Sequence, residues 1–411
     1  MRNVHSKHAP MTQFPLSEDC LQIGGMSLTR LAQRVGKTPF YAYDRQLITE
    51  RIALLRKHLP AEVHIHYAMK ANPMPAVVQH IANLVDGIDV ASVGELGVAL
   101  DTPILPSQIS FAGPGKRDSE LNCAIAAEIT LNMESEQEME HIASLGQRLG
   151  ICPRVAVRVN PDFELKSSSM RMGGGPKQFG VDAERVPSML ARIGKLGLNF
   201  EGFHIFSGSQ NLNAVAIQES QEKTLQLGLR LAEHTPGPVR SLNIGGGFGV
   251  PYFPGEKPLD LISVSKNLHR LLDETKQQFT DTQVAIELGR YLVAEAGIYV
   301  CRVLERKISR KQVFLITDGG LHHHLAASGN FGQVIRKNYP VIVGNKVEGN
   351  ERETVSVVGP LCTPLDLLAD EVEMAKADVG DLIVVFQSGA YGLTASPTAF
   401  LNHPAPIEVL V

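Results

Sequence analysis

Between residues 63 and 289, short apolar, β-rich runs alternate with longer helical patterns, and this alternation constrains the fold more than any other feature of the chain. The runs are VHIHYAM (63–69), GIDVAS (87–92), ISFAG (109–113), EITLNM (128–133), RVAVRV (154–159), FEGFHI (200–205), SLNIGG (241–246) and VAIELG (284–289), eight in all. The segments between them space apolar residues as a helix does, as in AVVQHIANLV (76–85), ELGVAL (95–100) and QEKTLQLGLRLAEH (221–234). Eight βα units fill a (β/α)8 barrel, whereas an open doubly wound sheet usually shows fewer strands and a Gly-rich turn after the first. The pattern predicts an α/β chain with a barrel over 38–296.

After residue 296 the texture changes. IYVCRVLERK (298–307), QVFLIT (312–317), PVIVG (340–344), ETVSVVG (353–359) and GDLIVVF (380–386) are β-branched runs separated by turn residues, with little helical pattern. They predict a mostly antiparallel β domain over 297–411, to which the first 37 residues add a strand or helix. No internal repeat or low-complexity linker interrupts the chain.

Composition narrows the class of function. The 411 residues are 44% hydrophobic and 20% charged with a net charge of -4, an ordinary globular balance with no basic excess for nucleic acid. No apolar stretch is long enough for a membrane helix, and the N-terminal MRNVHSKHAP has no apolar core of a signal peptide, so the expected location is the cytoplasm. The five cysteines, Cys20, Cys123, Cys152, Cys301 and Cys362, are odd in number and lack CxxC spacing, which suggests neither a disulfide framework nor a structural zinc site.

Barrel enzymes carry their chemistry at the C-terminal ends of the strands. Polar residues collect there in this chain: Lys70 after the first run, Asp89 and Glu95 in or after the second, Arg158 and Asn160 at the fifth, and His204 and Ser209 at the sixth. The glycines 245–249 follow the seventh, and Glu287 with Arg290 the eighth. A lysine after a buried strand is costly unless its amine is deprotonated or covalently engaged, which suits a Schiff base with an aldehyde cofactor. The GGGFG loop (245–249) lets backbone N–H groups approach an anion, and with Ser209 it forms a candidate phosphate cradle. Glu287 is placed to pair with a protonated ring nitrogen.

These motifs, in this order, resemble the fold type III pyridoxal-phosphate decarboxylases, the group of diaminopimelate, ornithine and arginine decarboxylases. The resemblance runs from TPFYAYD (38–44) to GAYGLTASPTAFLNHPAP (389–406). It rests on HYAMKAN (66–72), DVASVGEL (89–96), KQFG (177–180), HIFSGSQ (204–210), GGGFG (245–249), ELGR (287–290), GPLCTPLD (359–366) and GAY (389–391). It implies an alanine-racemase-like barrel with a β domain, pyridoxal 5'-phosphate as cofactor, and a homodimer with shared active sites. By the same resemblance Lys70 would carry the cofactor as an imine and Glu287 would hold the pyridine nitrogen. Ser209, Gly246, Gly247, Arg290 and Tyr391 would hold the phosphate, with Asp89 supporting the cofactor near Lys70 and Arg158 and His204 also on the cofactor's side. Cys362 would come from the opposite subunit as the acid that protonates the carbanion after CO2 leaves, and Thr363, Asp366 and Tyr391 would join it around the substrate.

Three departures set the chain apart from the family pattern. Phe206 stands where the family usually carries the histidine that stacks on the cofactor, leaving His204 without an assigned role. Thr363-Pro364 replaces the acidic residue that follows the cysteine and reads a distal amine, which argues against diaminopimelate and ornithine. The segment 318–340 lacks the arginine-rich pattern of a diaminopimelate enzyme. The chain thus looks closer to a divergent branch that includes siderophore-pathway and exosortase-associated decarboxylases, with larger or modified amino acids as substrates. His322, His323 and His324 are consecutive and cannot all face one ion, so they read as a substrate-contacting loop with no metal site. A racemase or epimerase is the alternative activity, but racemases of this class are expected to place an arginine on the ring nitrogen where this chain has Glu287. A non-catalytic pyridoxal-phosphate protein is the other alternative; it would usually lack the β domain or the cofactor residues that are present here.

Overall fold

The eight apolar runs become the eight strands of a closed parallel barrel. They are His64–Ala68, Gly87–Val90, Ile109–Phe111, Thr130–Met133, Arg154–Asn160, Asn199–Ile205, Ser241–Gly246 and Gln283–Leu288. In the computed structural model, which describes residues 7–164, 170–171 and 173–411, the eighth strand pairs with the first, Ala285 opposite His64 and Leu288 opposite Tyr67, and this pairing closes the ring. Val155, Val157, Ile65, Ile88, Leu242 and Ile286 are among the strand residues buried outright, which explains why the runs read as continuous apolar stretches rather than alternating ones.

The helices between strands start where the sequence supplies caps. Ser92 Oγ accepts from the Glu95 N–H at the start of Val93–Leu100, and Ser135 Oγ accepts from the Glu138 N–H at the start of Glu136–Leu149. Proline opens Pro75–Ala82, and the long pattern near residue 221 is the helix Ala214–Ala232, which begins earlier than its most periodic stretch.

The chain forms two compact units, with the barrel in Arg51–Val250 and Leu259–Gly289, and the β unit in the residues up to Glu50, Pro251–Pro258 and Arg290–Val411. These boundaries differ from the expected 38–296 barrel. Phe40–Tyr43 belongs to the β unit because it pairs antiparallel with the start of the Gly297–Ser309 strand and parallel with Ile407–Leu410. No local pattern signals such long-range pairings.

Gly297–Ser309 is the centre of the β unit, pairing antiparallel with Phe40–Tyr43, Leu382–Val385 and Gln312–Thr317. The five runs expected to be strands are strands; Leu367–Ala375 and Ile407–Leu410 are additional. The N-terminal segment adds three short strands and the helix Leu28–Val35, which Ser27 caps; its first six residues lie outside the described residues. Phe14, Leu21, Ile23, Leu28 and Leu31 pack with Phe40, Ile298, Val300 and Val384 in one core. No helix among the described residues is long and apolar enough to cross a membrane.

Phe40 is fully buried in this core and sits opposite both Val300 and Ile407. Phe40→Ala is expected to lower stability by about 3–5 kcal/mol, while Leu304→Ala, at a half-exposed position, should change it by about 0.5 kcal/mol or less, as measured by denaturant midpoints.

Candidate active site

The first barrel strand ends at Ala68, and Lys70 stands in the single helical turn Met69–Ala71 just beyond it. Closure of the barrel sets Glu287, on the eighth strand, beside this end. Lys70 Nζ lies 3.5 Å from Glu287 Oε1, and His204 Nε2, from the sixth strand, lies 2.9 Å from Glu287 Oε2 in a hydrogen bond. The side chains of Glu287 and His204 are only 4–5% exposed, whereas that of Lys70 is 44% exposed. The expectation of a buried lysine is therefore corrected: the amine is open at the rim and the carboxylate is the buried partner. Burial pushes the Glu287 carboxyl up, but Lys70, His204 and Arg158 together overrule it and hold the group ionised, below the ordinary carboxylate range. His204, left without a role by sequence, fixes the orientation of Glu287. Phe206 presents its ring at the same rim, with the centroid 5.7 Å from Lys70 Nζ.

The glycine loop lies beside these groups on the seventh strand and the turn after it. A Cβ on Gly246 would stand 2.5 Å from the Glu287 carbonyl, and one on Gly247, at φ +68°, would stand 2.2 Å from the Gly208 carbonyl. Only glycine allows that approach. Ser207 Oγ and Asn211 Nδ2 are buried without a hydrogen-bond partner, and both line a small cavity together with Gly208, Gly246 and Gly247. Unpartnered buried donors facing a side-chain-free backbone are what a phosphate group would satisfy. Ser209 lies in the short Gly208–Ser209 strand of the same loop, opposite Met170.

Two of the residues expected near the cofactor are engaged elsewhere within the barrel. Asp89 Oδ1 accepts from Ser110 Oγ at 2.5 Å and lies 3.3 Å from His66 Nδ1, so its carboxylate faces the barrel interior instead of a direct partner in Lys70. Asp89 and His66 line a cavity of about 110 Å³ with Ser110, Asn132, Asn243 and Arg154. Arg158 donates to Glu134 Oε1 at 2.7 Å and its guanidinium lies over the Phe179 ring at 4.9 Å. Glu134 was not singled out by sequence. It accepts from the Gly113 and Gly180 N–H groups as well as from Arg158, anchoring the KQFG turn to the barrel rim. Its place directly after the fourth apolar run was the signal.

The remaining candidates lie in the β unit. Arg290 sits over the Tyr391 ring at 4.6 Å and the Tyr252 ring at 5.3 Å, and its NH1 donates to Tyr252 Oη at 2.8 Å. Its Nε is buried without a partner, so the guanidinium retains capacity for an anion. Tyr252, three residues past the glycine loop, is a second residue the sequence reading missed. Tyr391 adopts φ +51°, an uncommon conformation for a side-chain-bearing residue.

Cys362 is exposed and free, and Thr363 Oγ1 accepts from the Leu365 N–H. Asp366 is corrected from a substrate contact: it is buried, with Oδ1 accepting from the Leu321 N–H at 2.6 Å and Oδ2 from the Leu361 N–H at 2.8 Å. The three histidines are also corrected, because all are buried inside the β unit rather than on an open loop. His324 Nε2 pairs with Ser388 Oγ, and His323 Nε2 with the Pro404 carbonyl. Burial, with His323 and His403 adjacent, pushes His322 down to about 3, so it is neutral. Among the described residues no group of three or more His, Cys, Asp or Glu is arranged to hold a metal ion.

The family model described as "Pyridoxal-dependent decarboxylase, pyridoxal binding domain" matches residues 45–294. The chain belongs to the pyridoxal-dependent decarboxylases. Over 93% of its length it is 39% identical to L-glutamyl-[BtrI acyl-carrier protein] decarboxylase of Niallia circulans, covering 90% of that protein. It is 29% identical to 2-[(L-alanin-3-ylcarbamoyl)methyl]-2-hydroxybutanedioate decarboxylase of Staphylococcus aureus, over 89% of this chain and 92% of that one. The crystal structure of diaminopimelate decarboxylase from M. jannaschii in complex with L-lysine superposes with a TM-score of 0.88 at 26% identity, over 97% of this chain and 92% of that one.

The decarboxylase is thus a carboxy-lyase that uses pyridoxal phosphate, and the barrel rim fits that cofactor. Lys70 would supply an accessible amine for its aldehyde and Glu287 a buried charge for its ring nitrogen, while Ser207 and Asn211, beside the side-chain-free backbone of Gly246 and Gly247, would offer their unpartnered donors to its phosphate. When bound, the cofactor accepts the electron pair left by the departing carboxylate. Glu287, held ionised by Lys70, His204 and Arg158 and oriented by His204, would hold a protonated ring nitrogen by charge pairing.

Lys70→Ala is expected to fold normally yet yield no borohydride-trapped cofactor adduct, read by mass spectrometry of the intact chain. Glu287→Gln should retain the adduct and lose about 10²–10³-fold in kcat, the scale of removing one preorganised electrostatic partner.

Proposed function

We propose that this decarboxylase removes the α-carboxylate from an amino acid whose far end is tied into a conjugate, rather than from one ending in a free ammonium. The observation that carries the reading is the loop around Cys362. The positions after the cysteine are Thr363 and Pro364, and the carboxylate of Asp366 is consumed by two backbone N–H groups. A distal ammonium would find no anionic partner there, and leaving a charge unpaired on desolvation is costly. The names of two relatives support the same class: one acts on a glutamyl unit borne by an acyl-carrier protein, the other on an alanine unit joined through a carbamoyl link to a hydroxybutanedioate.

Within this reading Lys70 carries the cofactor, Glu287 pairs with its ring nitrogen, and Cys362 delivers the proton that replaces CO2. The assignments of Ser209, Gly246, Gly247, Arg290 and Tyr391 to the phosphate, and of Thr363 and Tyr391 to the substrate, follow from the family resemblance. The working form is a cytoplasmic homodimer, with Cys362 serving the opposite subunit's site. Glu287 in place of an arginine favours decarboxylation over racemisation.

The test is CO2 release from a panel of free diamino acids and of their amide-linked or carrier-linked counterparts. The conjugates should show kcat/KM at least tenfold higher; equal or better turnover of free diaminopimelate or ornithine would sink the assignment. Thr363→Glu should improve kcat/KM for free diamino acids roughly tenfold, the worth of one hydrogen bond to a charged group. Cys362→Ala should lose rate and release misprotonated by-products.

A further inference from the structure

Asp366 stands between two turns of the β unit, and its surroundings are shaped around its carboxylate. Oδ1 accepts from Leu321 in the 318–324 segment, and Oδ2 accepts from Leu361, the residue before Cys362. A Cβ on Gly320 would lie 2.1 Å from Oδ1, and one on Gly359 would lie 2.3 Å from Oδ2. Both flanking positions are therefore closed to any side chain while the carboxylate is in place. The backbone adds to the clasp: the Gly359 N–H donates to the Asp366 carbonyl, the Asp366 N–H to the Thr363 carbonyl, and the Thr363 N–H to the Leu361 carbonyl. The last of these bonds spans Cys362, leaving it at the apex of a three-residue turn with its side chain exposed. Beneath, the buried Thr317 hydroxyl lies within hydrogen-bond distance of the Gly319 carbonyl at 2.8 Å and the Val358 carbonyl at 3.1 Å, its one proton shared between the bases of the two turns.

We propose that Asp366 is a positioning residue that fixes Cys362 by tying the 359–366 turn to the 318–324 turn, an inference that rests on Cys362 being the proton donor. A carboxylate suits this place because both partners are N–H donors. Asparagine could accept from only one of them and would turn its own NH2 group against the other. Burial pushes the Asp366 carboxyl up, and the two N–H groups pull against it. Loosening the clasp displaces the thiol relative to the carbon it must protonate, and displacements near 1 Å cost about 10²-fold in rate.

The experiment combines amide hydrogen exchange with a double-mutant cycle on the holoenzyme. In the wild-type protein the Leu321 and Leu361 amides should be protected, and Asp366→Asn should lose protection at one or both. The variant should lose about 10- to 100-fold in kcat and release more misprotonated product, while its visible band and cofactor dissociation constant stay as in the wild type. Asp366→Asn combined with Cys362→Ala should be no slower than Cys362→Ala alone, because the first residue acts through the second. Unprotected Leu321 and Leu361 amides in the wild type overturn the clasp whether or not the variant folds. A folded Asp366→Asn protein with wild-type kcat, or losses that multiply in the double variant, overturns the positioning role while Cys362 keeps its assignment. Full rate and fidelity in Cys362→Ala overturns the donor reading itself, whatever the exchange data show.

Discussion

The pairing of the eighth barrel strand with the first is the contact on which the site depends. It joins Glu287 to a lysine 217 residues earlier in the chain and, by closing a parallel sheet, gathers every strand's C-terminal end on one rim. Parallel strands have no short connections, so each must be reached through a helix, and the caps at Ser92 and Ser135 set where two of those helices begin. Rim residues such as Lys70, Glu134 and Gly246 are brought near one another by this arrangement alone, since no two belong to the same local motif.

Buried carboxylates recur as the organising devices of both units, each matched by a different kind of partner. Glu287 is held by a lysine and a histidine, Glu134 by an arginine and two loop N–H groups, and Asp366 by two N–H groups from separate turns. Isolated, any of these charges would be expelled or neutralised; satisfied, each fixes the geometry of the chain around it. Glu287 is the one proposed to meet the cofactor, and Lys70, His204 and Arg158 hold its carboxyl below the ordinary range despite its burial. Glu134 and Asp366 spend theirs on loop shape.

Much of this was legible before folding. The eight apolar runs marked every barrel strand, because strands buried on both faces carry an uninterrupted apolar signature, and the polar residues that close them marked the rim. Lys70, Glu287, the glycine loop and Cys362 were readable as types in sequence order. What escaped notice was of another kind. Tyr252 and Glu134 looked like ordinary residues of a turn and a helix approach, and their importance lies in partners 38 and 24 residues away. Asp366 was assigned to the substrate by the family resemblance and the histidines 322–324 to a substrate-contacting loop, yet these four side chains turn inward, and a sequence does not print the direction of a side chain in a loop.

The sequence by itself determined the number and order of strands, the cofactor family and the residue types available for chemistry, since these follow from hydrophobic period and from motifs read within a few residues. Only the tertiary structure decided that residues 38–50 leave the barrel for the β unit, that His204 orients Glu287, that Asp89 faces His66 inside the barrel, and that Asp366 binds backbone instead of substrate. Each of these depends on which distant group fills a given space. Local periodicity carries no record of that, because strand pairing and hydrogen-bond partnership are settled by packing between elements far apart in the chain.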